Sequence, residues 1–345
     1  MIKEQVKSLW KLCFDDSEAF IELYFRLRYN NEVNLAIQSG EEVIAALQML
    51  PYPMTFCNKI VPTSYISGAC THPDYRAKGV MRELLSQSFA RMLRNGVLFS
   101  TLIPAEPWLF GYYAKTGYTP VFRISHKVFS LSELTIDPEP DTMIEETTEY
   151  QEDYYQYLTG KLSERACCLQ HTPTDFKVVL ADLALTQNTV LIARKDNRVT
   201  GIAVVYKHDD SSYINELFAD NEAVRAQLLY RAGLRNGTER IILQLPPVES
   251  LPSVPLGMAR IIDARAVLQL YAAGCPEVEM NIELTDEQLS VNNGYYYLCK
   301  GKCMTSEVRL PGVHTRMTIA ELSEKILDEM QPYMSLMMNL SLIHI

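Results

Sequence analysis

Val80, Leu84, Leu85, Ser88 and Met92 fall on one face at helical spacing, with Leu93 close by, and this period predicts a helix that opens at Gly79. Just upstream, Tyr65-Ile66-Ser67-Gly68 and the β-branched Thr71 predict a strand, which Pro73 ends because proline has no ladder donor. Two helical stretches, residues 2–12 and about 17–29, open the chain, and the acidic pair Asp15-Asp16 is expected to cap the second. Strands are expected at 33–38 and 43–56, joined by the hairpin signal Ser39-Gly40-Glu41-Glu42, with a break or bulge at Tyr52-Pro53-Met54. The apolar run 97–103, bounded by Gly96 and Pro104, reads as the next strand. A helix around Trp108 and a strand at 118–129 complete a mixed α/β order, giving a first domain over 1–132.

Residues 134–142, rich in proline and acid, read as a linker. Beyond it the order begins again over a second domain, 143–248. A helix at 150–164 is followed by a hairpin of 189–195 and 198–207 through Asp196-Asn197, a strand at 213–218, a helix at 222–236 and a strand at 241–245. A third domain, 250–339, holds the apolar stretch Met258-Ala259-Arg260-Ile261-Ile262-Asp263. Strands are expected there at 277–284, 295–299 and 307–309, and a helix at 319–330.

Composition agrees with this division. The chain has 345 residues, 48% hydrophobic and 21% charged, enough apolar material for two or three folded domains. A net charge of −10, with lysine and arginine dispersed, argues against nucleic acid as a partner, since phosphate binding needs a concentrated basic surface. The same balance would attract cationic molecules, although ordinary solubility explains it equally well. The first sixteen residues carry charge throughout, so neither a signal peptide nor a membrane span is expected, and the location expected is cytoplasmic. Eight cysteines, among them the adjacent Cys167-Cys168, form no paired CxxC motif and read as reduced thiols. Cys299, Cys303 and His314 lack a fourth ligand and the usual spacing, so no metal is expected.

The chemistry concentrates in Ala69 to Arg82, ACTHPDYRAKGVMR. A strand there feeds a helix through Arg76-Ala77-Lys78-Gly79. The first turn of such a helix carries unpaired N–H groups and the positive end of the helix dipole. Small Ala77 and Gly79 allow a phosphate to approach the backbone, and Arg76 and Lys78 flank it: a diphosphate cradle. It is neither the three-glycine dinucleotide fingerprint nor the Gly-Lys-Ser/Thr loop of nucleoside triphosphate enzymes. The pattern, His72-Pro73 followed by Tyr75-Arg76-x-x-Gly79, an apolar residue, Met81 and then Leu84-Leu85, resembles the acetyl-CoA motif of the GNAT N-acetyltransferases. It departs from the usual Arg/Gln-x-x-Gly-x-Gly/Ala core at Met81, where the backbone N–H is what the position contributes. The resemblance implies that Ala69, Cys70 and Thr71 pair with the pantetheine arm. It further implies that Arg76, Ala77, Lys78, Gly79, Val80, Met81 and Arg82 surround the diphosphate. For Cys70 itself, packing is the expected side-chain role.

Tyr112-Tyr113-Ala114-Lys115-Thr116-Gly117-Tyr118 is similar to the family's Tyr-x-Lys-x-Gly-Phe/Tyr segment. In that family the tyrosine protonates the departing thiolate, a role that spacing to Gly117 gives to Tyr113, with Tyr112 as its rival. Reference pKa values of about 10 for a phenol and about 8.5 for a thiol make such a transfer nearly balanced. The tandem order resembles the enhanced intracellular survival (Eis) type of acetyltransferase. This implies two GNAT folds of mixed α/β sheets, the second degenerate because Phe218-Ala219-Asp220-Asn221-Glu222 lacks a basic glycine turn, followed by a sterol-carrier-like α+β domain. In that type a terminal carboxylate takes the acceptor's proton. Here residues 340–345 read as a non-native tail after an end near Asn339, so Ile345 is not assigned that role. The implied reaction moves an acetyl group from acetyl-CoA to a primary amine of a small cationic molecule or peptide within a ternary complex. Homo-oligomerisation stays open. A non-catalytic acyl-CoA sensor and a lipid carrier built around Tyr295-Tyr296-Tyr297 are the alternatives.

Overall fold

A computed structural model describes residues 2–136 and 141–338. The elements, in chain order, begin with α1 (Ile2–Cys13), α2 (Glu18–Leu27), β1 (Asn34–Ser39), β2 (Glu42–Phe56), β3 (Lys59–Thr71), α3 (Val80–Arg94), β4 (Phe99–Leu102) and α4 (Pro107–Ala114). Next come β5 (Thr119–Ser130), β6 (Thr142–Thr147), α5 (Glu152–Ser163), β7 (Cys168–Leu169), α6 (Pro173–Leu185), β8 (Thr189–Lys195), β9 (Arg198–His208), β10 (Ser211–Ala219), α7 (Glu222–Asn236) and β11 (Arg240–Leu245). The last are β12 (Ser253–Ile261), α8 (Ala264–Gly274), β13 (Met280–Thr285), β14 (Gly294–Cys299), β15 (Lys302–Ser306), β16 (Thr315–Thr318) and α9 (Ile319–Asp328). The fold is mixed α/β, and among the described residues no helix is long and apolar enough to cross a membrane.

Contacts gather these elements into two units. The first takes the chain up to Phe122, Ala166–Cys168 and Leu256–Pro332. Its main sheet runs β1-β2-β3-β4-β12, antiparallel except for the parallel pair β3/β4 that the α3 crossover allows. Leu84, Leu85 and Met92, from the face of α3 legible in the sequence, and Phe89 beside them pack on Ala45, Leu47, Met49, Ile66 and Leu102. A smaller sheet, β15-β14-β13-β16, belongs to the same unit.

Several expectations are corrected here. The β2/β3 ladder passes without interruption through Tyr52-Pro53-Met54, because Pro53 faces Pro62. With both donors missing at one rung, that rung is the widely spaced kind, which asks neither residue for an N–H. The irregularity lies instead where Ala46 pairs Cys70 and Gln48 pairs Ser67, so that Gly68 and Ala69 together oppose Leu47: a bulge on β3. Gly68 adopts a positive φ of 59°, and a Cβ there would lie 2.0 Å from the Trp10 indole, so no other residue fits. The cap of α2 is Ser17, whose hydroxyl accepts from Phe20 N, while Asp16 accepts from the Trp10 indole N–H at 2.7 Å. The strand expected at 307–309 ends earlier, as β15.

The second unit takes Arg123–Arg165, Leu169–Pro255 and the chain from Tyr333 onward. Its sheet runs β5-β11-β10-β9-β8-β6, and α7 links the parallel pair β10/β11 as α3 links β3/β4. The same order of antiparallel strands, helix and parallel strand thus occurs twice in the chain. The segment after Tyr333 is held by backbone bonds: Leu169 N donates to Tyr333 O at 3.2 Å, and Tyr206 donates its hydroxyl to Met337 O at 2.6 Å.

Glu216 is fully buried in this unit, with Arg165 at 3.5 Å and the Tyr333 hydroxyl donating to it at 3.1 Å. Burial lifts its carboxyl to about 7, against the smaller opposing effects of Arg165, Tyr333 and Ser335. An unfolded glutamate titrates near 4.3, so between about pH 4.3 and 7 the folded chain keeps a proton that the unfolded chain has lost. Stability therefore declines as pH rises through that window and levels off above it. Glu216→Gln is expected to remove roughly 3 kcal/mol of that decline, read from denaturant midpoints at pH 5 and pH 8. An unchanged slope would mean that Glu216 titrates normally.

Candidate active site

The bulge at Gly68-Ala69 sets up the site. Parallel pairing of β3 with β4 is confined to Thr63–Tyr65 against Phe99–Thr101, while β3 runs on to Thr71 paired with β2. Among the described residues, the edge of β3 from Ile66 to Thr71 that faces away from β2 therefore carries no ladder partner. An unpaired strand edge offers regularly spaced amide and carbonyl groups to an extended ligand. Ala69 packs into the core beneath α3, Cys70 is buried, and Thr71 is half-buried.

The turn that follows gives the backbone its second donor surface. Ala77 and Gly79 have φ of 58° and 80°, left-handed conformations that turn successive N–H groups to one side. Gly79 is the N-cap of α3 and makes no side-chain capping bond, so the first-turn amides of Val80, Met81 and Arg82 are left to an outside acceptor. A Cβ placed on Gly79 would meet nothing within 4 Å, which marks open space above the turn. By contrast, α7 has its own cap: Asn221 accepts from Val224 N, filling the position that Gly79 leaves open in the first copy. Val80 and Met81 turn their side chains to the core, so the departure from glycine or alanine at Met81 leaves its N–H in place.

The basic side chains diverge. Arg76 folds back, donating from Nε to Thr71 O at 3.1 Å and from Nη2 to Cys13 Sγ at 3.8 Å. Lys78 stands over the Tyr75 ring at 5.3 Å, and Arg82 lies 3.9 Å from Glu287 with both groups exposed. The cradle as described is thus a backbone feature with movable cations at its rim.

Tyr113 lies on α4, 8% exposed, against Tyr112 and Tyr118 at centroid distances of 5.5 and 5.9 Å. Burial pushes its phenol well above the ordinary range, with smaller contributions from Tyr112 and Cys70, so it stays protonated at neutral pH. Among the described residues its hydroxyl makes no side-chain hydrogen bond, so its proton is free to be given elsewhere. Tyr112 is half-buried, and burial raises it while Arg82 opposes.

Sequence reasoning missed what holds this loop. Arg260 of β12, fully buried, pairs with Asp286 at 2.7 Å, donates to Thr116 O and lies 4.2 Å from the Phe89 ring centroid. Thr116 in turn donates its hydroxyl to Tyr113 O at 2.8 Å. Gly117, at φ 87°, passes so close that a Cβ would lie 2.7 Å from Ile319 and 3.1 Å from the Arg260 guanidinium. The available signal was an arginine standing among Met258, Ala259, Ile261 and Ile262. The candidate terminal carboxylate, with Asn339 and 340–345, lies outside the described residues, as does part of the expected linker. Among the described residues the cysteines form no disulfide, and His314 Nε2 lies 3.1 Å from the Tyr297 hydroxyl.

The chain is similar in fold to known proteins. The acetyltransferase (GNAT) domain family matches residues 3–121. A GCN5-related N-acetyltransferase from Anabaena variabilis superposes with a TM-score of 0.77 at 15% identity, covering 96% of each chain. Its counterpart from Kribbella flavida gives 0.73 at 17% identity, over 96% of this chain and 94% of that one. Eis1 from Mycobacterium abscessus gives 0.71 at 13% identity, over 94% and 87%. No curated protein matches the chain in sequence.

Proposed function

We propose that this acyltransferase, whose residues 3–121 are a GNAT acetyltransferase domain, moves the acetyl group of acetyl-CoA to a primary amine by direct attack, with Tyr113 as the general acid. The observation that carries the reading is the coincidence, in one unit, of the unpaired β3 edge, the open amide turn at Ala77 to Arg82 and a buried, protonated tyrosine. GNAT acetyltransferases use acetyl-CoA, which supplies an activated thioester. The chain's own groups do the rest. Amides of Gly79, Val80, Met81 and Arg82 donate to the diphosphate oxygens, and Arg76 and Lys78 swing from their resting partners to its rim. Ala69, Cys70 and Thr71 pair by their backbone with the pantetheine arm, and an amide of this edge polarises the thioester carbonyl.

Tyr113 gives its proton to the sulfur as the C–S bond breaks. Burial separates phenol and thiol further than their reference values do, so the proton moves only as charge develops on sulfur. The amine attacks neutral, and its surplus proton leaves through water or a terminal carboxylate. The acceptor class we favour is a small cation or a lysine-bearing peptide, in keeping with the net charge of −10. Residues 256–332, with their four-stranded sheet, α8 and α9, are read as the core of the sterol-carrier-like part of the Eis type.

The test is calorimetry with acetyl-CoA, followed by coenzyme A release in the presence of aminoglycosides, polyamines and peptides. Binding with amine-dependent release is expected. Binding without release for any amine would favour the sensor reading, and no binding would end both. Replacing Arg76 and Lys78 together by alanine is expected to weaken acetyl-CoA binding by roughly 10- to 100-fold, the worth of one or two charge-assisted hydrogen bonds.

A further inference from the structure

In the first unit a cleft of about 490 Å³ opens where the end of α2 meets the start of α1 and the middle of β2. None of the residues lining it belongs to the cradle. Lys3, Arg28, Asn30 and Asn31 supply its nitrogen donors. Lys3 Nζ stands 5.5 Å from the Tyr29 ring centroid, and Arg28 lies 5.1 Å from that of Tyr52, donating from Nη2 to the Tyr52 hydroxyl at 2.9 Å. Asn30 Oδ1 accepts from Glu32 N at 2.9 Å, and Asn31 Oδ1 accepts from the Tyr29 hydroxyl at 3.0 Å. Both amide oxygens are thus engaged within the turn, which leaves their NH2 groups to serve the cleft. Glu4, next to Lys3 on α1, adds its charge to burial in raising the Tyr29 phenol, which stays a donor. Among the described residues no carboxylate lines the cleft, although the chain as a whole carries a net charge of −10. Leu27, Val33 and Leu50 give it an apolar wall.

The cleft borders the reacting end of β3. Leu50 opposes Tyr65 across the β2/β3 ladder, and Tyr65 is the last β3 residue that pairs with β4. The Tyr52 ring, on which Arg28 rests, meets the Tyr65 ring edge-on at 6.3 Å. One strand spacing, about 4.8 Å, therefore separates the Leu50 wall from the point where the unpaired edge of β3 begins. We propose that this cleft is a carboxylate subsite for the acceptor, so that the amine acetylated belongs to a molecule carrying an amine and a carboxylate on one short aliphatic chain, as a C-terminal lysine does. Arg28 and Lys3 take the carboxylate, since a guanidinium fork matches its two oxygens and an ammonium adds charge. The Asn30 and Asn31 NH2 groups complete its shell, and the methylenes lie along Leu27, Val33 and Leu50. The amine then reaches past Tyr65 to the edge where the thioester is read to lie. This inference rests on the acetyl-transfer reading and narrows its acceptor, setting polyamines and aminoglycosides, which bring no anion, below a lysine with a free carboxylate.

The experiment compares two acceptors that differ only in the anion, Nα-acetyl-lysine and Nα-acetyl-lysine amide, by coenzyme A release from the full chain at saturating acetyl-CoA. The acid should exceed the amide in kcat/KM by about 10- to 100-fold, the worth of charge-assisted hydrogen bonds to the carboxylate. Long-range attraction to an acidic chain favours the cationic amide, so a preference for the acid reports the local lining. In the double variant Lys3→Gln with Arg28→Gln the ratio should fall to within about threefold of one. Lys3→Gln alone, which keeps Arg28 on the Tyr52 ring, should move it part of the way. Because each ratio is taken within one protein, partial unfolding of a variant does not enter it. A parent ratio near one, a preference for the amide, or a ratio unmoved by either variant would overturn the subsite. If acetyl-CoA binds but neither acceptor releases coenzyme A, the transfer reading fails. Calorimetric affinities of the same two molecules then decide the subsite by the same ratios, the acid binding more tightly in the parent and losing that advantage in the variants.

Discussion

Tyr113→Phe is expected to lower kcat for acetyl transfer by about 100- to 10,000-fold, the range over which a positioned general acid contributes. The substitution removes one oxygen and keeps the ring that packs between Tyr112 and Tyr118. Because the hydroxyl makes no side-chain hydrogen bond among the described residues, the folded state loses no such partner. The acetyl-CoA dissociation constant and the thermal midpoint should stay close to those of the parent, so that the loss appears in turnover alone. Tyr112→Phe serves as the control and should stay within a few-fold of the parent. If the two variants exchange these outcomes, Tyr112 is the acid; if neither slows the reaction, the proton comes from elsewhere. Initial rates at saturating acetyl-CoA decide the matter.

Asp286→Ala should cost about 3–5 kcal/mol of folding stability, the penalty for leaving a buried charge without its partner. Arg260 is fully buried, and its ion pair with Asp286 has no water to replace it. Asp286 also accepts from the amides of Gln288 and Leu289 and from Asn292 Nδ2, so its removal orphans several donors at once. The variant Arg260→Met with Asp286→Leu, which discards both charges, should recover a good part of the loss, as buried pairs often allow. Denaturant titration of the three proteins measures this directly. A single variant as stable as the parent would show that the pair is solvated in solution. The loop from Tyr113 to Gly117 rests on this pair through Thr116, so turnover in the partly recovered double variant should still fall.

Much of this architecture was legible because local signals and tertiary packing agree. The hairpin at Asp196-Asn197 lies where its turn residues put it, and both take the positive φ that asparagine and aspartate tolerate. Helix α7 spans the expected residues because Asn221 caps it and Gly237, at φ 63°, ends it. The full length of β3 was hidden by Pro62, Thr63 and Ser64, which look like a loop until β2 pairs all three and Thr63 and Ser64 are buried between β2 and β4. Its turn, Cys57-Asn58, takes positive φ at both residues without a glycine to announce it. Helices α6 and α8 went unread despite Thr172 and Asp263, ordinary capping residues at their starts. For the site, the cradle was legible because backbone donors follow from small residues at a strand-to-helix turn. The resting positions of Arg76 and Lys78 were not, since a flexible cation takes whichever partner lies nearest, and those partners, Cys13 and Tyr75, are set by the fold.

The indole pressed over Gly68 has a practical corollary. The chain contains two tryptophans. Trp108 is largely in solvent, whereas Trp10 is sheltered, with its ring edge occupying the space that glycine vacates in the coenzyme strand. Quenching Trp108 with iodide leaves Trp10 as an intrinsic lamp on that strand, and its emission would follow any distortion of the bulge in real time, with no label attached.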